Sequence, residues 1–203
     1  MNTESSKIEF KSNNHSINVE NIYKTSFKTL SDNIVVCIAN TVILIISNLF
    51  LAITVIGIFA IPVVWGGYIE SMIRMSLGKK VEVGDFFRIG FNHFGALLVA
   101  SIFYFLGIIV GLVFFIIPGI YLMIRWFFVL QIIVYEKIGV SQAFKKSSQM
   151  TSGIFWNVFT IFILNAIISV IGDMTGILVI VTIPYTYIVC AKYYLQLSKP
   201  NNE

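Results

Sequence analysis

From Ile34 to Ile69 the chain runs without one charged side chain. A helix rises about 1.5 Å per residue, so about 20 apolar residues cross the roughly 30 Å hydrocarbon layer of a bilayer. The run is too long for a single crossing, and Gly57 and Pro62 within it mark a turn and a kink. Two spans are therefore predicted, at about 34–53 and 56–77. Four further apolar stretches follow, at about 94–117, 119–136, 153–172 and 175–195. Pro118-Gly119 is expected to end the third span abruptly.

Composition agrees. The 203 residues are 57% hydrophobic and 12% charged, where a water-soluble domain carries about 25% charge. Too few polar groups remain to cover a water-facing surface. The first 33 residues are polar and lack the basic start, short apolar core and small-residue cleavage site of a signal peptide. Residues 1–17 read as a disordered cytoplasmic tail, rich in Ser, Asn, Lys and Glu, and the first span as a retained signal anchor. Residues 18–198 read as one transmembrane domain and 199–203 as a second cytoplasmic tail.

Charge sets the orientation. Lys7, Lys11, Lys24 and Lys28 precede the first span; Arg74, Lys79, Lys80 and Arg88 surround the connection between the second and third; Lys137, Lys145 and Lys146 lie between the fourth and fifth; Lys192 and Lys199 close the chain. The connections near 54, 118 and 173 hold no Lys or Arg. Short loops rich in Lys and Arg stay in the cytoplasm. Six spans then place both termini inside and three tight turns outside.

The three cytoplasmic segments align without gaps: VENIYKTS from Val19, VGDFFRIG from Val83 and VSQAFKKS from Val140. The columns hold Val19/Val83/Val140, polar Asn21/Asp85/Gln142, apolar Ile22/Phe86/Ala143, aromatic Tyr23/Phe87/Phe144, basic Lys24/Arg88/Lys145 and small Ser26/Gly90/Ser147. Each segment precedes a hairpin, and the outer turn follows its Val at nearly constant spacing. The expected architecture is all-α: three repeats, at about 19–77, 83–136 and 140–195, each an interfacial amphipathic helix followed by a transmembrane hairpin. In the third copy Val140, Ala143, Phe144, Ser147 and Met150 form one helical stripe, with Lys145 and Lys146 off it. Such a helix can lie with its ring in the acyl boundary and its ammonium among anionic headgroups. Tyr23/Lys24, Phe87/Arg88 and Phe144/Lys145 would then form a cytoplasmic collar. Asp85 is a plausible N-cap of its helix and Gln142 a poor one.

Intramembrane charge is the first place to seek function. Glu70, Arg74, Glu136, Lys137 and Lys192 fall at one counted level near the cytoplasmic rim, where an ion cluster would lock hairpin ends. Arg125 lies about nine residues, roughly 13 Å, from the level of Glu70, too far for a salt bridge. Its counted depth matches Pro62 and Pro184. Each proline frees the carbonyl four residues earlier, on Ile58 and Ile180, and these could accept from the guanidinium. Arg125 is read as a clamp across the prolines, as the receptor of an anionic headgroup, or as a side chain that snorkels outward. Cys37 and Cys190 sit in apolar runs and read as buried thiols. His15 and His93 have no Cys partner at metal-ligand spacing, and no cofactor is expected.

The run from Ile116 to Ser148 (IIPGIYLMIRWFFVLQIIVYEKIGVSQAFKKSS), with GYIE at Gly67 and GKKVEVGDFF at Gly78, resembles a broad family of six-helix prokaryotic membrane proteins. That family is similar to the membrane domain attached to some glycerophosphodiester phosphodiesterases. Its pattern falls here on Pro118, Gly119, Arg125, Glu136, Gly139, Ala143 and Ser147. The resemblance implies an inner or plasma membrane protein connected to lipids, and it transfers no catalytic residue. The residues show no converging nucleophile, base or metal set, so no enzyme is expected. One expected function is to bind, transport or organise a lipid or other amphiphile. The alternative is a structural or protective protein, for instance against membrane-active peptides, acting through a protein partner. The expected partners are the bilayer and its anionic headgroups, with a homo-oligomer or membrane protein partner left open and no nucleic acid.

Overall fold

The computed structural model describes residues 19–53, 55–114 and 116–198. The tails at 1–17 and 199–203, with Lys7, Lys11, His15 and Lys199, lie outside the described residues. All regular structure within them is helical: α1 (Val19–Asp32), α2 (Ile34–Ala52), α3 (Val55–Ser76), α4 (Asp85–Asn92), α5 (Phe94–Phe114), α6 (Ile116–Arg125), α7 (Val129–Glu136), α8 (Val140–Ser152), α9 (Phe155–Thr175) and α10 (Val179–Ser198). An apolar medium offers backbone groups no partner, so each long apolar segment satisfies them internally as a helix. The polar side chains on these helices follow the same rule. Thr41, Ser47, Asn48, Ser71 and Ser76 each donate to the carbonyl four residues earlier.

Among the described residues four stretches are long and apolar enough to cross a membrane: Ile34–Ala52, Phe94–Val113, Ile117–Glu136 and Phe155–Thr175. This is a multi-pass membrane protein. The stretches on α2, α5 and α9 are only 22%, 22% and 17% buried, so these three helices present most of their apolar surface outward. The centre belongs to α3, α7 and α10. There Tyr68, Phe86, Phe128, Tyr193 and Tyr194 are fully buried, with Phe128 against both Tyr193 and Tyr194 at 5.9 Å between ring centroids.

The short amphipathic helices do not pack on their own hairpins first. The main partner of α4 is α3, that of α8 is α7, and that of α1 is α10. Their aligned positions share one exposure pattern. Ile22, Phe86 and Ala143 are buried, as are Ser26, Gly90 and Ser147, while Lys24, Arg88 and Lys145 are exposed. The small column has a steric reason. A Cβ on Gly90 would collide with the Val63 carbonyl oxygen, and one on Gly67 with the Phe86 carbonyl oxygen. The backbones of α3 and α4 thus touch directly.

Three local expectations need correction. Asp85 is the first residue of α4, and the N-cap is Gly84, whose φ of 83° favours glycine. The Asp85 carboxylate instead accepts from the Glu82 amide and pairs with Arg88. Pro118-Gly119 does not end a span, because α5 stops at Phe114 and Pro118 occupies the first turn of α6. A first-turn proline loses no helical hydrogen bond, and Gly119 is pressed against Leu112 and Gly111 of α5. The stretch 119–136 is not one continuous helix but is broken at Trp126–Phe128. Nothing local breaks it. The Ser147 hydroxyl of α8 accepts from the Phe128 amide at 3.2 Å and donates to the Arg125 carbonyl at 2.9 Å, with Thr151 also donating to that carbonyl. The backbone groups lost at the break are taken over by a helix packed against it.

Candidate functional site

Arg125 ends α6 beside the break. Its carbonyl is held by Ser147 and Thr151 of α8, which fixes the backbone there. The guanidinium lies over the Tyr121 ring, 5.6 Å from its centroid, within cation–π range. Tyr121 in turn stacks on Phe155 at 5.6 Å, the first residue of α9, and Phe155 contacts Trp156, which is 73% exposed. Among the described residues the Arg125 guanidinium pairs with no carboxylate and donates no hydrogen bond to a carbonyl of either proline-containing helix. Pro62 and Pro184 lie within α3 and α10, and both helices continue through them.

The rim residues separate into three junctions. Glu70, 5% exposed, accepts at Oε1 from Arg74 Nε at 3.0 Å and Nη2 at 2.6 Å. Its Oε2 is buried without a hydrogen bond, and His93 Nε2 lies 4.0 Å away, beyond hydrogen-bond reach. Glu136 accepts from Lys146 Nζ at 2.5 Å and from the Tyr194 hydroxyl at 2.6 Å, joining α7, α8 and α10. Lys192 donates to the Thr25 carbonyl at 2.7 Å, joining α10 to α1. Glu136 and Lys192 therefore each bond to a neighbouring amphipathic helix, whereas Glu70 bonds within α3 and only faces His93 at the end of α4. Among the described residues Glu70 and Arg125 form no pair.

The collar residues sit differently from the expectation. The three rings are half-buried against protein. The Tyr23 hydroxyl donates to Asn165 Oδ1 at 3.1 Å, its carbonyl accepts from the Tyr185 hydroxyl at 3.2 Å, and its ring meets that of Tyr185 edge-on. Burial, then the nearby Cys190 and Tyr185, push the Tyr23 hydroxyl above the usual phenol range, so it remains a donor. Phe87 stacks on Phe86 and Phe144 meets Trp126 edge-on at 4.9 Å. Of the three collar cations, Lys24 is paired with Glu20 and Arg88 with Asp85 on their own helices. Lys145 forms no ion pair among the described residues, nor do Lys28, Lys79, Lys80 and Lys137. Exposed local pairs contribute little to stability, and these five lysines keep ammonium groups without an ion pair among the described residues.

Sequence reasoning missed the roles of Ser147, Thr151, Asn165 and Asn40. Asn40 accepts from the Gly84 amide at 2.8 Å and so anchors the start of α4 to α2. The signal for Ser147 was its place in the small column. For Asn40 there was no signal, because a lone Asn in an apolar run does not reveal its partner. Among the described residues no three His, Cys, Asp or Glu side chains gather where a metal could bind.

The geometry contains cations, rings and helix junctions. The family of membrane domains of glycerophosphoryl diester phosphodiesterase matches residues 96–199, just over half of the chain and the part that carries Arg125, Glu136 and Ser147. The chain belongs to that family. What the glycerophosphoryl diester phosphodiesterase family shares with it is the membrane domain, not a catalytic domain. No curated protein matches the chain, and no solved structure does.

Proposed function

We propose that this chain is a non-catalytic membrane module that binds or organises an amphiphile with an anionic headgroup, a membrane lipid in the first instance. The single observation that carries this reading is Arg125. A guanidinium on an apolar helix, with no carboxylate or hydrogen-bond acceptor among the described residues, has its charge met only by the Tyr121 ring. A phosphate-bearing headgroup supplies compensation bidentately, and the Tyr121–Phe155–Trp156 aromatics offer amphipathic surface beside it.

The proposed architecture has six spans in three units, both termini cytoplasmic, in the plasma membrane. It is supported by the cyclic packing of α4 on α3, α8 on α7 and α1 on α10, and by the shared exposure of the aligned columns. Under it, the free lysines gather at the cytoplasmic face, where each basic residue adds about 1 kcal/mol of attraction to an anionic leaflet.

Gently extracted protein examined by native mass spectrometry is expected to retain an anionic phospholipid. Arg125→Ala should reduce that retention about tenfold or more, since a hydrogen bond to a charged group is worth about 1.5–3 kcal/mol, while leaving the helical circular dichroism signal intact. Retention unchanged in the variant would overturn the reading. A stable protein partner with no bound lipid would favour the protective alternative instead. Topology has its own test. A single cysteine at Asp173, in the last turn of α9, with Cys37 and Cys190 replaced, should react with an impermeant maleimide from outside intact cells. Labelling only after the cytoplasmic face is opened would reverse the orientation.

A further inference from the structure

A groove of about 350 Å³ lies where α2, α3 and α4 meet, lined by Ile46 and Phe50 of α2, Ala60 and Val64 of α3, and Phe87 and Phe91 of α4. Its one polar lining residue, Ser47, turns its hydroxyl back onto the Ile43 carbonyl at 2.6 Å. The walls offer an occupant nothing but hydrocarbon. Phe50 and Phe91 are 71% and 56% exposed, so the groove is open along its side. The close backbone contact of α4 on α3 at Gly67 and Gly90 is what lets Phe87 and Phe91 reach over it.

The chemistry changes at one end. Gly84, the N-cap of α4, is tied to Asn40 of α2. Asn40 lies six helix positions, about 9 Å, from Ile46. The segment leading to that anchor carries Lys79 and Lys80, both exposed and in no ion pair among the described residues. Arg88 projects from the exposed side of α4, 75% exposed at its side chain, with Asp85 taking part of its charge. Glu82 opposes these cations and leaves a net positive edge. An apolar slot beneath a basic edge matches an anionic lipid, with one acyl chain along α2 and the headgroup at the α3–α4 connection.

We infer that the α2–α3–α4 groove is a second lipid site, separate from Arg125, that holds one acyl chain of an anionic phospholipid while Lys79, Lys80 and Arg88 face its headgroup. This rests on the lipid-binding reading above and adds a place and an orientation to it. Shape and headgroup charge select this lipid over its neighbours, because surrounding lipid tails are as apolar as the walls.

The test uses the full chain in phosphatidylcholine vesicles containing a minor fraction of phosphatidylglycerol with a photoactivatable diazirine in its acyl chain. Cross-links mapped by peptide mass spectrometry should concentrate on the segments holding Phe50, Phe87 and Phe91. Ala60→Trp, which fills the groove, should remove that concentration. Ser47→Trp serves the same purpose should the first variant not fold. Reversing Lys79, Lys80 and Arg88 to Glu should lower groove labelling about fivefold or more, from the attraction each basic residue adds. Leu106→Trp, on the outward face of α5, should leave it unchanged. Labels spread evenly over α2, α5 and α9 would mean annular lipid and overturn the site. Equal labelling by a phosphatidylcholine probe would overturn its charge selectivity. Lipid retained in native mass spectra without groove labelling sinks this site alone, whereas no retained lipid at all sinks the underlying reading with it.

Discussion

Gly67→Ala is expected to destabilise the folded protein by about 3 kcal/mol or more, at or above the upper end of ordinary overpacking costs. The new methyl group would meet the Phe86 carbonyl oxygen and come within 2.8 Å of the Gly90 amide nitrogen. Both are backbone atoms of α4, so no side chain can swing aside, and α4 must lift from α3 or bend. Lifting α4 also withdraws Phe86 from the core, where it is fully buried against Tyr68. Titration of unfolding with dodecyl sulfate, followed by circular dichroism, measures the loss. Gly95→Ala provides the control. A Cβ there meets nothing within 4 Å, and in the first turn of α5 alanine should change stability by less than about 1 kcal/mol. Equal effects from the two substitutions would show that the α3–α4 backbone contact is not what holds this helix.

Glu136→Ala is expected to cost about 2–4 kcal/mol, because one carboxylate joins three helices. Its removal leaves Lys146 and the Tyr194 hydroxyl without their acceptor, and a half-dismantled polar junction costs more than a surface pair. Lys146 remains one-third exposed at its side chain, so water recovers part of its loss and the figure stays below that of a fully buried charge. Glu136→Gln keeps an acceptor for Tyr194 and should recover roughly half. A double-mutant cycle with Lys146→Ala should give a coupling of about 1 kcal/mol. Additive effects within error would mean that the ammonium and carboxylate do not interact in the membrane-embedded protein.

Both predictions concern contacts that residue counting reached only partly. Counting gathered Glu70, Glu136 and Lys192 at one level, and in the fold Glu136 and Lys192 each bond to an amphipathic helix. Counting did not say which segment. The Lys146 partner of Glu136 comes ten positions later on the following helix, and the Thr25 partner of Lys192 comes from the far end of the chain. Depth counting also paired Arg125 with the prolines. The break at Trp126–Phe128 turned its side chain toward Tyr121 and α9 instead.

What depends on near neighbours was legible in the residues: apolar runs long enough to be helices in lipid, the apolar column 22/86/143, the small column 26/90/147, the basic column 24/88/145, and the asymmetry of lysine and arginine. These follow from composition and from a helical period repeating every few residues, so they are written locally. Only long-range packing set the partner of each amphipathic helix, the packing of the Tyr23, Phe87 and Phe144 rings against protein, the break opposite Ser147, and the absence of a carboxylate partner for Arg125 among the described residues. Each of these requires two segments far apart in the chain to meet. This broken helix has its freed amide and carbonyl satisfied by a hydroxyl from another helix, and no periodicity within residues 119–136 encodes that hydroxyl.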